Sequence, residues 1–411
     1  MTAAQACRGC GTGLARVFVD LGMSPISNAL PPDSKPARPE VFYPLLAYVC
    51  DACHLVQVAD VAEKEAHFHD DYLYHSSFSS SWLEHARQYV ATATERLGLG
   101  RESRVVEIGS NDGYLLRWFV EREIPCLGID PAAAAARRAE AVGVPTRVAF
   151  FSAALAREMR RDGKAADLIV ANNVLAHVPD LNDAVAGIAA LLQPDGTVTV
   201  EFPHLLELIR HNQFDTIYHE HYSYFSLIAL LPVFARHGLA IHDADRLPTH
   251  GGSLRIHARH AARTPEPSAT LDAILVEERA HGLDKPAAYE AFAERVRAIK
   301  RDLLTLLIGL KRQGKRIAGY GAPAKATSLL NYCGIGTDFI DFTVDRNPAK
   351  QRRLIAGTRI PILAPDAIKA ARPDYVMILP WNLREEIMAD MAGIRAWGGK
   401  FIVPIPKPEI V

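Results

Sequence analysis

The sequence has neither a long apolar run nor an excess of charge of one sign. No stretch reaches the roughly 20 apolar residues that a membrane-spanning helix needs, so the sequence predicts no membrane partner. Its 46 basic and 47 acidic side chains give a formal net charge of −1. Since nucleic-acid binding depends on basic residues that neutralise phosphates, this balance argues against DNA or RNA as a partner. We expect small molecules as ligands.

The first residues also lack the basic segment and apolar core of a secretory signal peptide, so we expect a cytoplasmic protein. The chain has 411 residues, of which 49% are hydrophobic and 23% charged. This length and composition are typical of a globular protein with two or three domains. The sequence leaves the oligomeric state open, and a monomer is compatible with it.

Cysteine is scarce, and four of the six cysteines form two Cys-x-x-Cys pairs, Cys7 with Cys10 and Cys50 with Cys53. Disulfides are rare in the cytoplasm, whereas two such pairs can supply the four thiolates of a zinc site. A Cys₄ site leaves no coordination position for water, so the expected Zn²⁺ is structural. The 39 residues between the pairs predict a loop or small sheet. A redox role for one pair is the alternative, and it is disfavoured because neither pair opens a βαβ pattern.

A buried strand, Val105–Ile108, runs into a small-residue turn, Gly109-Ser-Asn-Asp-Gly113, that opens a helix. Asp130 ends a second strand about 20 residues later, where a ribose-binding acid is expected. The turn lacks the G-x-G-x-x-G spacing of a dinucleotide site, and its acids favour a cationic nucleoside, S-adenosylmethionine. An ordinary turn without a ligand is the alternative. The candidate cofactor contacts are Glu107, Gly109, Asn111, Asp112, Gly113 and Asp130, with Asn172 and Asn173 after the third strand.

The order of elements predicts an α/β protein in three parts. Residues 1–65 form the zinc module. Residues 66–262 form a doubly wound class I methyltransferase domain with a helical lead-in at 66–100. Residues 263–411 form a helical linker, with helices at 269–280 and 287–313, and a Rossmann-like unit. Strands are predicted at 166–172, 197–201, 250–256, 316–320, 339–345 and 375–379, with a turn at 194–196.

The carboxyl-terminal unit carries a cluster of basic residues near the predicted carboxyl ends of its strands. Ligands of open α/β sheets bind there, and basic groups would hold phosphate. A solvated charged face is the alternative. The residues are Lys325, Arg346, Lys350, Arg352 and Arg353.

The densest chemical cluster is Tyr218-His-Glu-His-Tyr-Ser-Tyr-Phe-Ser226, and His177 follows the third strand. A histidine near neutrality can remove a proton beside a carbonyl, while hydroxyl groups stabilise the enolate. Two alternatives stay open. His219-Glu-His221 could bind a metal, although it is not H-E-x-x-H, and the stretch could be an aromatic core strand. The aromatic stretch 68–82 is either a capped helix start or a wall of the site.

At these residues the chain resembles the deoxysugar C-methyltransferases, which act on nucleotide-linked ketosugars. The resemblance covers nearly the whole chain. It is carried by the four-cysteine module, Glu107-Ile-Gly-Ser-Asn-Asp-Gly113, Asn172-Asn-Val-Leu-Ala-His177, Tyr218-His-Glu-His-Tyr-Ser-Tyr-Phe225, His250-Gly-Gly-Ser-Leu-Arg255 and Gly319-Tyr-Gly-Ala-Pro-Ala-Lys325.

The resemblance implies methylation of a sugar carbon next to a keto group, with S-adenosylmethionine as donor and a nucleotide-diphosphate sugar, thymidine-linked in most of the family, as acceptor. It implies that His221 is the general base and that Tyr218, Glu220 and His177 line the site, with Tyr72 or Tyr74 joining them. Lys325, Asn331 and Arg346 are the expected diphosphate contacts.

Three rival functions remain at this stage. The first is O- or N-methylation of a nucleotide sugar, and the second is a nucleic-acid methyltransferase with zinc knuckles. The third is a catalytically silent nucleotide-sugar binder.

Overall fold

The amino-terminal sheet contains a strand that comes from the middle of the chain. The computed structural model describes residues 5–34, 39–61 and 76–411. In chain order the first strands are β1 (Arg16–Ser24), β2 (Tyr43–Val49) and β3 (Val56–Val58), and the antiparallel sheet order is β1-β2-β3-β9. Strand β9 is Ser223–Tyr224 and pairs with β3 through Val56 and Tyr224. The tyrosine and histidine cluster therefore continues directly into the sheet of the cysteine module.

The central domain opens with helix α1 (Ser80–Leu97), which Ser79 caps by accepting a hydrogen bond from the Trp82 amide. The elements that follow α1 alternate between strands and helices. They are β4 (Val105–Ile108), α2 (Arg117–Val120), β5 (Cys126–Asp130), α3 (Ala133–Ala141), β6 (Thr146–Val148), α4 (Ala153–Arg161), β7 (Ala166–Asn172), α5 (Leu181–Leu191), β8 (Leu192–Pro203), α6 (Leu205–Arg210), then β9, α7 (Leu227–Arg236), β10 (Leu239–Leu247), β11 (Ser253–His260) and α8 (Ala269–Ala280).

The central sheet has the order β10-β11-β8-β7-β4-β5-β6. Strands β8, β7, β4, β5 and β6 are parallel, while β10 and β11 form an antiparallel edge. The chain leaves β4 in one direction through β5 and β6, and then returns to the other side through β7 and β8. Such a reversal opens a crevice at the carboxyl ends of the strands, where ligands of doubly wound sheets bind.

The carboxyl-terminal unit is a second α/β layer with a mixed sheet. Its elements are α9 (Ala287–Glu290), α10 (Phe292–Arg312), β12 (Ile317–Tyr320), α11 (Ala324–Cys333), β13 (Thr343–Val344), β14 (Arg353–Leu354), β15 (Pro361–Leu363), α12 (Asp366–Ala371), β16 (Tyr375–Ile378), α13 (Arg384–Asp390), β17 (Lys400–Val403) and β18 (Glu409–Ile410). The sheet order is β14-β15-β13-β12-β16-β17-β18, with antiparallel strands at both edges. This order is Rossmann-like.

Four local predictions differ from the structure. The strand predicted at 250–256 begins only at Ser253, because residues 249–251 form a turn. The helix predicted at 287–313 is interrupted at Ala291. Only Thr343–Val344 of the strand predicted at 339–345 pairs, and residues 194–196 lie within the span of β8.

The amino-terminal module packs against the carboxyl-terminal unit. Phe18 of β1 stacks on Phe292 of α10 with ring centroids 4.5 Å apart, and both are fully buried. The hydroxyl of Thr327 in α11 donates to the carbonyl of Ser27 at 3.0 Å. The module thus touches both other parts of the chain. Within the described ranges, no helix is long and apolar enough to cross a membrane.

Candidate active site

The four knuckle cysteines converge on one point. Sγ of Cys7 lies 3.5 Å from Sγ of Cys53, Sγ of Cys10 lies 3.5 Å from that of Cys50, and all four lie within 4.8 Å of one another. A tetrahedral zinc with Zn–S bonds of about 2.3 Å requires S–S separations of roughly 3.8 Å, so this set fits Zn²⁺. Gln57 donates a hydrogen bond to Sγ of Cys7 at 3.2 Å, as a ligand-orienting neighbour would. The predicted Cys₄ site is assembled.

Arg8 lies between the first two cysteines, and it connects the zinc module to the segment that contains His221. The guanidinium of Arg8 donates to the carbonyls of Val58 and Tyr222, at 2.8 and 3.4 Å, and stands 5.1 Å from the centre of the Tyr222 ring. It also pairs with Asp60. The Val58 amide in turn donates to the Tyr222 carbonyl at 3.0 Å. Tyr222 directly follows His221, so the knuckle and the predicted base share one hydrogen-bonded frame.

The cofactor loop requires its glycines. Gly109 has φ 68°, and a Cβ at that position would lie 2.2 Å from Cγ2 of Val174. Gly113 has φ 75°, with the backbone of Ala139 3.1 Å from the site of a Cβ. Asp130 accepts hydrogen bonds from the amides of Asn111 and Ala132, at 2.9 and 2.8 Å, and so fixes the loop to the end of β5.

Several buried polar atoms at this sheet edge have no hydrogen-bond partner among the described residues. They are Oγ of Ser110, Oδ1 of Asp112, and both amide atoms of Asn172 and of Asn173. Buried polar groups in proteins are normally paired, so such a cluster indicates that a polar ligand completes it. An amino acid joined to a nucleoside offers matching donors and acceptors, and S-adenosylmethionine therefore fits. We call this loop, with Asp130, Asn172 and Asn173, the cofactor half.

The sequence predicts that the acids of this loop attract a cationic cofactor, but two of them have other surroundings in the structure. Burial, opposed in part by a hydrogen bond with Tyr114, raises the pKa of Glu107 well above its usual range. One oxygen of Asp112 accepts hydrogen bonds from the amide and hydroxyl of Ser77, at 3.2 and 2.5 Å. Asp112 therefore connects the loop to Ser77, just before α1, and the contact of Glu107 and Asp112 with the cofactor stays a prediction.

The predicted catalytic histidines face each other. The rings of His177 and His221 are 4.5 Å apart, and the Tyr218 ring stacks on His221 at 4.0 Å. Nδ1 of His221 donates to the carbonyl of Thr216 at 2.9 Å, and Nδ1 of His177 donates to the carbonyl of Glu220 at 2.7 Å. We call His177, Tyr218 and His221 the acceptor half.

The two carbonyl partners indicate which nitrogen of His177 and of His221 carries the proton. A carbonyl only accepts, so each Nδ1 carries the proton and each Nε2 of a neutral ring carries the lone pair. Burial and the charges of His177 and Lys325 lower the pKa of His221 well below its usual value, so the ring is neutral at pH 7. The hydroxyl of Tyr218 lies 2.7 Å from Nε2 of His221. Nε2 of His221, which can accept a proton, thus lies next to the Tyr218 hydroxyl, which can donate one.

Glu220 is placed differently from its neighbours. Its carboxylate accepts hydrogen bonds from the amide and the side chain of Asn28, at 3.2 and 2.6 Å, and only its backbone carbonyl reaches His177. Burial, opposed by the Asn28 hydrogen bonds and by Lys350, raises the pKa of Glu220 to about 7. The Glu220 side chain therefore connects the segment that contains His221 to the amino-terminal module. Tyr72 and Tyr74 lie outside the described residues.

The three predicted diphosphate contacts have different surroundings in the structure. Lys325 is partly buried near the acceptor half, where Nζ donates to Asn382 at 2.9 Å and lies 5.0 Å from the centre of the Trp381 ring. The side-chain amide of Asn331 donates to two backbone carbonyls of its own unit, those of Thr327 and Ala356. Arg346 is half-exposed and pairs with Glu386 and Asp390. Their roles toward a ligand stay predictions.

The basic neighbours of Arg346 also form contacts within the protein. Nζ of Lys350 donates to the Ala322 carbonyl at 2.8 Å. The guanidinium of Arg353 donates to the carbonyls of Ala349 and Leu30, both at 3.0 Å.

Sequence reasoning missed a buried ionic network beside the site. The carboxylate of Glu201, at the end of β8, lies 2.9 Å from Nε2 of His85 and 2.6 Å from the Arg255 guanidinium. Burial opposes ionisation, but the hydrogen bond of His85 and the charge of Arg255 lower the pKa of Glu201 to about 2. Glu201 pairs in register with Asn172. Its place at the carboxyl end of a parallel strand is the sequence feature that could have identified it as a site residue.

Comparisons with known proteins identify the family of the chain. Three family profiles match in order along the chain: a zinc binding domain over residues 7–68, a methyltransferase domain over residues 82–244, and a C-methyltransferase C-terminal domain over residues 248–406. C-methyltransferase NovU of Streptomyces niveus is 38% identical over 405 residues, which cover 98% of this chain and 96% of that protein.

Solved structures similar to part of the chain include two methyltransferases. Magnesium protoporphyrin IX methyltransferase of Synechocystis PCC 6803, with bound S-adenosylmethionine, is 13% identical with a TM-score of 0.35, and covers 49% of this chain and 98% of that chain. An S-adenosylmethionine dependent methyltransferase of Mesorhizobium loti is 16% identical with a TM-score of 0.34, and covers 43% of this chain and 99% of that chain.

Proposed function

Because this chain belongs to the S-adenosylmethionine-dependent C-methyltransferases with an amino-terminal zinc-binding module, we propose that its acceptor is a nucleotide-linked keto-deoxysugar. The methylated carbon is the one next to the keto group, and it becomes nucleophilic as an enolate. We further propose that the enzyme works in the cytoplasm, on small molecules rather than nucleic acid, in keeping with its formal net charge of −1.

One observation carries the enolate proposal: the Tyr218 hydroxyl and Nε2 of His221 lie 2.7 Å apart. The carbonyl oxygen of a ketone and the hydrogen on its neighbouring carbon are separated by a similar distance. His221 would take the carbon-bound proton on Nε2, and Tyr218 would donate to the oxygen on which negative charge develops. The carbonyl of Thr216 stabilises the imidazolium that forms, because it accepts from Nδ1.

The two halves of the site divide the remaining work. Asp130, Asn172 and Asn173 would orient the cofactor, and S-adenosylmethionine supplies an electrophilic methyl group when bound. Orientation of the two reactants is the second contribution of the protein, since it replaces a bimolecular encounter by a fixed geometry. Cys7, Cys10, Cys50 and Cys53 would hold Zn²⁺ outside the chemistry, where it stabilises the frame behind His221.

Lys325 provides positive charge near the anionic acceptor. It lies beside the Trp381 ring, and its charge lowers the pKa of both His221 and His250. We propose that Lys325 contacts the diphosphate at the sugar end, with Arg346 and Asn331 farther along the nucleotide.

Replacing His221 by asparagine tests the proposal. We expect His221→Asn to reduce methyl transfer by at least about 10³-fold and to reduce exchange of the carbon-bound proton with solvent deuterium equally. The matched control is His211→Asn, a half-exposed histidine on the surface, which should behave as wild type. Normal deuterium exchange in His221→Asn would remove His221 from the role of base.

A further inference from the structure

The turn between β10 and β11 holds a histidine in an unusual backbone conformation. His250 has φ 55° and ψ 21°, and it is followed by Gly251 with φ 88° and Gly252 with φ 116°. Three consecutive residues therefore have positive φ. For a residue with a Cβ this conformation is unfavourable, and such residues are concentrated at functional sites.

Neighbouring segments lock this backbone in place. A Cβ on Gly251 would lie 2.6 Å from the Trp381 ring, and one on Gly252 would lie 2.7 Å from Cγ of Glu207. The Gly251 carbonyl accepts a hydrogen bond from the side chain of Gln213 at 2.7 Å, and the Gly252 carbonyl accepts from the His204 amide at 3.0 Å. The backbone that carries His250 is thus fixed by contacts from both α/β units.

The imidazole lies between the two halves of the site. On the cofactor side its ring is 5.1 Å from Trp82, which stacks on Tyr114, the residue after Gly113. On the acceptor side, Trp381 contacts the same turn and donates a hydrogen bond from its indole nitrogen to Asp215 at 2.7 Å. Asp215 precedes Thr216, which orients His221.

The chemical state of His250 makes it a donor. Burial and the charge of Lys325, opposed by Glu201, lower the pKa of His250 to about 4, so the ring is neutral. Nδ1 is enclosed without a hydrogen-bond partner among the described residues. Enclosed, unpaired N–H groups are rarer than enclosed, unpaired acceptors, which favours the proton on Nε2. A neutral imidazole N–H can polarise a carbonyl, as it does in other enolising enzymes.

We propose that His250 is a further catalytic residue, whose Nε2–H donates a hydrogen bond to the keto oxygen of the acceptor. The inference rests on the proposed function. When the carbon–hydrogen bond breaks, its proton goes to Nε2 of His221 and its electron pair forms the carbon–carbon double bond of the enolate. The carbonyl π pair moves to the oxygen, where His250 and Tyr218 both donate.

The test compares two isosteric variants in the full-length enzyme, His250→Asn and His250→Asp. Asparagine and aspartate both tolerate the left-handed conformation, but only asparagine offers a donor at pH 7.5. With S-adenosylhomocysteine bound, we expect solvent-deuterium exchange of a nucleotide ketosugar to be at least about 100-fold faster in His250→Asn than in His250→Asp, since one oxyanion donor typically contributes a factor of 10² to 10³. Equal exchange rates in the two variants would overturn the proposal.

Two further variants separate chemistry from backbone strain. His250→Gly keeps the conformation without the imidazole, so kcat should fall about 100-fold with the melting temperature unchanged or raised. Arg372→Gly is the control, because Arg372 also has positive φ, at 47°, but is exposed and far from the site. A His250→Gly enzyme with kcat within twofold of wild type would also overturn the proposal. A wild-type enzyme that neither exchanges nor methylates any ketosugar would instead refute the proposed function.

Discussion

The cofactor half and the acceptor half of the site are built in opposite ways. A five-residue loop and two strand ends of one sheet supply the polar atoms of the cofactor half, and several of these atoms lack partners among the described residues. The acceptor half comes from two segments outside the strands of the sheet, and its histidine rings are held by backbone carbonyls. The cofactor half leaves polar atoms open to a ligand, whereas the segment of His221 is also held by the amino-terminal module, through Arg8 and Asn28.

Removal of zinc should separate the two halves most strongly. Without metal, the knuckles no longer fix Arg8, and the pairing of β3 with β9 behind His221 loses its support. We expect Cys50→Ser to lose zinc and methyl transfer entirely, while S-adenosylhomocysteine still binds within about tenfold of wild-type affinity. Metal analysis, turnover and calorimetric titration measure the three quantities. Loss of cofactor binding in parallel with activity would mean that the halves are not independent. The matched control is Cys126→Ser, a cysteine outside the knuckles.

The converse change should damage the cofactor half alone. Gly109→Ala forces a Cβ against Val174 in a backbone region that alanine avoids, so the loop must shift. We expect the affinity for S-adenosylhomocysteine to fall about 100-fold, while solvent-deuterium exchange of the ketosugar at saturating S-adenosylhomocysteine stays within about threefold of wild type. An equally large loss of exchange would show that the loop also shapes the acceptor half. Gly143→Ala serves as the control, since Gly143 has φ 83° outside the site.

Asn28 should have a smaller effect that is confined to the acceptor half. Its side chain donates to the Glu220 carboxylate at 2.6 Å across the junction between the amino-terminal module and the catalytic segment. Asn28→Ala removes one hydrogen bond to an ionisable group, which typically contributes about 1.5–3 kcal/mol. We expect turnover to fall about tenfold and cofactor affinity to stay unchanged, as measured by steady-state kinetics and titration. Unchanged turnover would show that this junction does not position His177 or His221.

The last expected effect concerns stability rather than turnover, and it is a pH dependence that originates from Glu220. Its pKa in the folded protein is about 7, against an ordinary value of 4.5, so the folded state binds the proton more tightly than the unfolded state does. The free energy of unfolding should therefore fall as pH rises between these two values, by roughly 3 kcal/mol, and stay constant above them. Glu220→Gln should remove this component. Denaturant titrations of both proteins at pH 5 and 8 measure the difference, and identical slopes with pH would contradict the assignment.

The difference between the halves also explains what the sequence could predict. Strand β7 and helix α8 have the predicted bounds, because their apolar patterns are local, and the four-cysteine cluster follows from spacing. The pairing of Val56 with Tyr224 could not be predicted, because a two-residue strand carries no periodic signal. Asn28 and Glu220 are 192 residues apart, and no local pattern connects them. The sequence predicts a strand from His250 because the apolar residues of Ser253–Ile256 favour one. The two glycines after His250 instead indicate a turn with positive φ.

The most direct test of the account is whether the acceptor half works without a methyl donor. Wild-type enzyme saturated with S-adenosylhomocysteine should exchange the proton next to the keto group of a nucleotide-linked deoxysugar with solvent deuterium, at a rate no slower than kcat for methyl transfer. Nuclear magnetic resonance of the recovered sugar measures this exchange. Methyl transfer to carbon by wild type with no exchange under these conditions would contradict enolisation by the acceptor half.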